Sequence, residues 1–185
     1  MRSASPYHTA LLAAVLSRSE AQEWRHAVLE WEIDACEEDP LLESSCLCGH
    51  PELRYLFTIV NTLNDNTLFP IGSVCINRFG REDLSEEASI REHLFRVLHA
   101  IEGRQFISLN SDFFSRKLLR FLYEDGAFQP NEFNGFDPEV DYQFMLNMFN
   151  MRNEPSPAQA RKIRAVIVSS IRPHLLRMLD GRRSG

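Results

Sequence analysis

Apolar positions along the chain change period twice, from helical spacing to alternation and back. Between Pro6 and about His26, Leu11, Leu12, Val15 and Leu16 form one apolar face, which predicts one or two short helices, the second opening at Ser19 with Glu20 and Gln22 behind it. From Val28 to Cys36 the period drops to two. Leu29, Trp31, Ile33 and Ala35 alternate with Glu30, Glu32, Asp34 and Cys36, the pattern of a half-buried strand. Pro40 and two serines make residues 37–45 a loop. Arg54–Thr62, rich in aromatic and β-branched residues, reads as the best strand in the chain. Asn64-Asp65-Asn66 is turn chemistry, and Leu68–Val74 returns as the hairpin partner, with Pro70 pointing to an edge or a bulge.

After Cys75 the helical period takes over. A helix capped by Ser85 carries Ile90, Leu94, Val97, Leu98 and Ile101 to Gly103. A second opens at Ser111-Asp112 and runs through Phe114, Leu118, Leu119 and Leu122 to Gly126. Residues 127–137 form an aromatic-containing loop. Pro138 starts a third helix, with Val140, Phe144, Met145, Met148 and Phe149 as its face. Pro155-Ser156-Pro157 opens a fourth, lined by Ile163, Val166, Ile167 and Ile171 until Pro173 kinks or ends it. The fold class expected is α+β: a small zinc-stapled antiparallel sheet near the N-terminus, followed by about four packed helices. The domain organisation expected is a helical segment over 1–27, a β-hairpin module over 28–80 and a helical region over 81–185 packed with it.

Composition adds limits. With 44% apolar and 25% charged residues in 185, the chain has the make-up of a globular protein able to bury a core. No apolar run approaches the ~18–20 residues that span a bilayer. The apolar stretch Thr9–Leu16 has Arg2 as its sole preceding Arg or Lys and is followed by Ser17-Arg18-Ser19-Glu20, without a small-residue cleavage site. A cytoplasmic protein with no membrane partner is therefore expected. The basic residues are 18 Arg and 2 Lys, and the net charge of −6 is split. Residues 152–185 carry eight basic and two acidic side chains, a net +6, against −12 for residues 1–151. Glu30–Glu43 holds seven carboxylates and no basic residue. An acidic body argues against a coating of nucleic acid, while the basic C-terminal stretch permits a local contact.

Cys46-Leu47-Cys48-Gly49-His50 carries the most specific chemistry. Zinc takes a tetrahedron of thiolates and imidazoles at ~2.0–2.3 Å. Ligands one residue apart reach it only where the backbone folds back sharply, which Gly49 permits. Across the hairpin, Gly72-Ser73-Val74-Cys75 places a third thiol at an expected helix start. A cysteine turn, a hairpin and a cysteine opening a helix is the arrangement of treble-clef-type zinc modules. Structural zinc held by Cys46, Cys48, Cys75 and His50 is expected, with Cys36 as the alternative fourth ligand. A disulfide is not expected of a cytoplasmic chain.

These residues, with Glu30-Trp31-Glu32, Asn61, Gly72-Ser73-Val74-Cys75-Ile76 and Phe79, resemble a small zinc-binding module. Similar modules recur in uncharacterised bacterial, phage and mobile-element proteins. The resemblance covers about residues 30–79 and implies a structural metal and no activity. Asn64-Asp65-Asn66 stands where that pattern usually has a glycine in the hairpin turn.

Catalytic signatures are missing. The chain has no His-x-Glu with Pro-Cys-x-x-Cys, no G-x-x-x-x-G-K-[ST] loop and no G-x-G-x-x-G turn. His93 and His99, six apart on one helix, fall on different faces. Asp137, Glu139 and Asp141 read as an acidic first turn. No catalytic residues are assigned and no enzyme is expected. Two uses compete. The first is a regulatory or adaptor role toward a protein partner, through Phe128, Phe133 and Phe136 in the aromatic loop. The second is nucleic-acid contact through Arg161, Lys162, Arg164 and Arg172 on the fourth helix, with Arg177, Arg182 and Arg183 extending the charge. A phage or mobile-element factor that modulates a host system would suit the resemblance.

Overall fold

The computed structural model describes residues 5–183. Arg2 and the side chains of Arg182 and Arg183, counted above with the basic residues, lie outside the described atoms. The chain forms two compact units, one ending at Arg91 and the other starting at Glu92.

In the first unit, α1 (Pro6–Leu16) buries Leu11 and Val15, four residues apart on one face. The second helix does not begin at Ser19. The Ser19 hydroxyl donates back to the Val15 carbonyl (2.9 Å) and accepts the Trp31 indole N–H (2.9 Å), so it is not available to cap forward. Residues 17–23 are turns instead, and α2 starts at Trp24 and ends at Ala27. A 3-10 turn, Val28–Glu30, then delays the strand, and β1 spans Trp31–Glu38.

That delay inverts the expected alternation before Trp31: Leu29 is 63% exposed and Glu30 only 6%. The Glu30 carboxylate turns inward because donors meet it there. It accepts from the backbone of Glu20 (2.8 Å) and Ala21 (2.7 Å) and from the Asn61 amide (2.6 Å), as a buried charge requires. Burial pushes the Glu30 carboxyl up, but the Asn61, Ala21 and Glu20 hydrogen bonds outweigh it, and the net shift is downward.

β1 pairs antiparallel with β2 (Tyr55–Asn61), with a bulge between Ile33 and Ala35. β2 pairs antiparallel with β3 (Thr67–Ile71), in the order β1-β2-β3. Pro70 thus sits on an edge strand, where its missing N–H costs no ladder bond. Its bond to Phe69 is cis. In the turn between β2 and β3, Asp65 takes a left-handed φ of 59°. The side-chain amides of Asn61, Asn64 and Asn66 all donate to the Arg18 carbonyl at 3.1–3.3 Å. The turn is thereby fastened to the N-terminal segment.

The single turn α3 (Ser73–Asn77) leads to α4 (Glu82–Glu102), which begins three residues before Ser85. Glu82 and Asp83 occupy its first turn, where the helix dipole favours acids. The Arg81 guanidinium holds the Asp83 carboxylate and the Trp31 carbonyl together.

In the second unit, α5 spans Arg116–Glu124. Ser115, rather than Ser111, is its cap, accepting the Leu118 N–H at 3.0 Å. Asn110 instead accepts the Asp112 N–H at 3.0 Å, which fixes a turn there. α6 (Pro138–Asn150) is capped by Asp137 and α7 (Pro157–Val166) by a Ser156–Gln159 capping box. Val140, expected on the inner face of α6, is 45% exposed, and Asp141 is buried in its place. The last helix neither stops nor breaks at Pro173. It passes through a π turn, Ile167–Ile171, into α8 (Arg172–Arg183), a wider turn that accommodates the proline's missing donor and ring. The unit's core holds Phe114, Leu118, Leu119, Leu122, Met145, Ile167, Ile171 and Leu175. His174 joins α8 to Asp125, at the end of α5, at 2.6 Å. Among the described residues no helix is long and apolar enough to cross a membrane.

Candidate metal centre and exposed surfaces

Three short-range constraints bring the cysteines together. Gly49 takes φ 95°, so residues 46–50 fold back on themselves: the Gly49 N–H donates to the Cys46 carbonyl (2.7 Å) and the Cys46 N–H to the His50 carbonyl (2.8 Å). The Leu47 N–H donates to the Pro70 carbonyl (2.8 Å), fixing this turn to β3. A bridge between Ser44 and Leu53 closes the base of the loop. The third cysteine comes from α3, whose cap is Gly72, where a Cβ would stand 3.0 Å from Leu53 Cδ2, a tight contact that the leucine side chain would have to yield to.

The result is a cluster in which the Sγ atoms of Cys46, Cys48 and Cys75 all lie within 4.8 Å of one another. All three residues are about 95% buried, and no disulfide joins them. Cys46 Sγ and Cys75 Sγ are 3.7 Å apart, far longer than a disulfide. Four sulfurs at ~2.3 Å around a zinc would stand about 3.8 Å apart along each tetrahedral edge. The Gly72 N–H points at Cys46 Sγ at 3.4 Å. The Cys46 thiol is pulled down to about 5, first by its hydrogen bond with Cys75, then by the Cys48 and Gly72 backbone N–H groups, against a contrary push from burial. Cys75 is pushed up by the same hydrogen bond and by burial. Spacing, sulfur chemistry and thiolate stabilisation all fit a thiophilic divalent cation such as zinc.

Neither candidate for the fourth position has a donor atom in this cluster. His50 is exposed, its Nδ1 lies 2.9 Å from the Pro51 carbonyl, and its ring is tilted against Tyr7 with centroids 5.6 Å apart. Cys36 is half-buried on β1 opposite Phe57.

The aromatic loop divides. Phe128 is buried, packed edge-on to Tyr123 and Tyr142. Phe133 is 91% and Phe136 69% exposed. The loop that carries them is tightly bonded. Asn131 and Asn134 form a reciprocal capping box around a 3-10 turn (Glu132–Asn134), and Gly135 and Phe136 both take left-handed φ. The buried Asn134 amide donates to the Gln129 carbonyl (2.9 Å) and to Asp141 (2.8 Å). Asp141 in turn is paired with Lys162 at 3.3 Å.

The four basic residues of α7 and α8 are not equivalent. Arg161 and Arg172 are exposed. Lys162 is held between Asp141 and the Phe144 ring (4.6 Å), and Arg164 lies over the Phe106 ring (5.1 Å). Sequence reasoning missed Asn134, Asp141 and Phe106, because only the fold brings their partners to them. No protein family, no curated protein and no solved structure matches the chain.

Proposed function

We propose that this chain is a non-catalytic regulatory or adaptor protein whose structural zinc staples the N-terminal sheet and whose aromatic loop binds a protein partner. The observation that carries the binding role is the exposure of Phe133 and Phe136 on a loop whose polar groups are satisfied. Two rings held in water by a rigid turn have the character of anchors for a pocket on another protein, at a low entropic cost of ordering. Glu132, Asp137 and Glu139 flank them, so the partner's pocket is apolar with a basic rim. A setting in which a small factor from a phage or mobile element modulates a host system rests on the resemblance of residues 30–79.

Zinc would be held by Cys46, Cys48 and Cys75, with His50 or Cys36 as fourth ligand. Its chemistry there would be to cross-link the cysteine turn to α3. Three buried thiolates leave little Lewis acidity and no evident access for a substrate. The alternative, a nucleic-acid-binding surface on the basic C-terminal helix, is less supported, because Lys162 is already held between Asp141 and the Phe144 ring.

The binding role is tested by replacing both rings. Phe133→Ala/Phe136→Ala is expected to keep native circular dichroism and thermal midpoint while losing captured partners that the wild type retains. Unchanged capture by the folded double variant would remove the loop from the account.

A further inference from the structure

The second unit carries an apolar groove of about 410 Å³ that neither the metal centre nor the aromatic loop uses. One wall is α7, where Ala160, Ile163, Arg164 and Ile167 fall at i, i+3, i+4 and i+7 and so share a face. The opposite wall is the irregular segment through Phe106, Ile107 and Leu109. Ile107, Leu109 and Ile163 stay half-buried in the empty groove, and Phe106 is 67% exposed. The backbone groups of Phe106 and Ile107 make no hydrogen bond to the other described residues. The charged lining is of one sign, Arg161 and Arg164. Stacking on Phe106 holds the Arg164 guanidinium over the apolar wall while leaving its edge N–H groups free for an anion.

We propose that this groove docks a short acidic and apolar segment of a partner protein, with a Leu-, Ile- or Phe-type side chain in the groove and a neighbouring carboxylate on Arg161 and Arg164. The size argues for a short segment over a second folded copy. A groove of about 410 Å³ accepts one or two side chains, the anchor of a short segment rather than the broad face of a second folded chain. The segment's backbone can bond to the open groups of Phe106 and Ile107, as in strand addition. A nucleic-acid strand is a poorer fit, since most of the groove surface offers neither charge nor an aromatic stacking platform beyond Phe106. The proposal goes beyond the aromatic loop and involves none of its residues, so the two fail independently.

The test is to pan a random nine-residue displayed-peptide library against the immobilised full chain, with Ala160→Trp as the counter-selection. Ala160 is exposed, so the new ring fills the groove without burying charge or opening the core. Peptides that bind the wild type and not Ala160→Trp are expected to pair Asp or Glu with Leu, Ile, Phe or Trp. Their affinity, read by fluorescence anisotropy, is expected to drop at least tenfold in Arg161→Glu/Arg164→Glu and to persist in Phe133→Ala/Phe136→Ala. The proposal is overturned if no peptide distinguishes the wild type from Ala160→Trp, or if those that do lack carboxylates. It is equally overturned if a single-stranded oligonucleotide displaces the peptides, or if sedimentation shows a self-association that Ala160→Trp abolishes.

Discussion

The cysteine turn was legible at the level of single residues because its geometry is local. Cys46, Cys48 and Gly49 sit within four positions, and the left-handed φ of Gly49 is a property of that residue type. Cys75 was legible because a hairpin of readable length returns it to the turn. Glu30 was not. Its three donors come from Glu20, Ala21 and Asn61, and a periodicity argument sees only the alternation that places it outside. Glu30→Gln, which removes the charge from three hydrogen bonds, is expected to lower stability by about 1–3 kcal/mol in a denaturant titration. The wild-type contribution has a defined pH dependence. Because the folded carboxyl lies below its ordinary value near 4.5, the stabilisation is complete above that value and is lost as pH falls through the lower, folded one. Wild type and Glu30→Gln should therefore converge in stability in acid. A difference between them that stays constant down to the acid transition would contradict this role.

Sequence patterning located the three strands and most of the helices at the scale of elements, but it missed the 3-10 turns at Val28–Glu30 and Glu132–Asn134 and misplaced several helix starts. Ser19, Ser85 and Ser111 all have the grammar of a cap, yet the hydroxyl of Ser19 is engaged by Val15 and Trp31, acids open α4 earlier, and Ser115 caps α5. Which of several serines caps is decided by the hydrogen bonds each one finds, near and far, rather than by spacing alone. The loop between α5 and α6 shows the converse. Its phenylalanines were visible in the sequence, while the Asn131–Asn134–Asp141–Lys162 network that holds them outward was not. Asn134→Ala leaves the buried Asp141 short of a donor and is expected to cost about 1–3 kcal/mol. It is also expected to quicken amide exchange over residues 131–137 while leaving the α5 core protected. A loop whose exchange is unchanged in Asn134→Ala would show that the network does not hold it.

For the whole molecule, the division at Arg91 would give the proposed metal a regional effect. Both tryptophans, Trp24 and Trp31, belong to the first unit, whereas α5, α6, α7 and α8 belong to the second. A strong chelator is therefore expected to shift tryptophan emission toward that of the unfolded chain while most helical circular dichroism survives. Loss of both signals together would mean that the units do not unfold separately. The split of charge bears on the nucleic-acid alternative. Any such contact would be phosphate-based and weaken steeply between 50 and 200 mM salt, as counterion release requires (~10³-fold or more for six contacts), and a gel-shift titration with no complex at low salt would exclude it.

The central claim, that Cys46, Cys48 and Cys75 hold a structural zinc, is tested most directly by the zinc-to-chain ratio of the purified protein, measured by inductively coupled plasma mass spectrometry. A ratio near one is expected in the wild type, with zinc at background in Cys48→Ser and native tryptophan emission lost alongside it. Wild-type protein that retains native emission without zinc or another bound metal would contradict the claim.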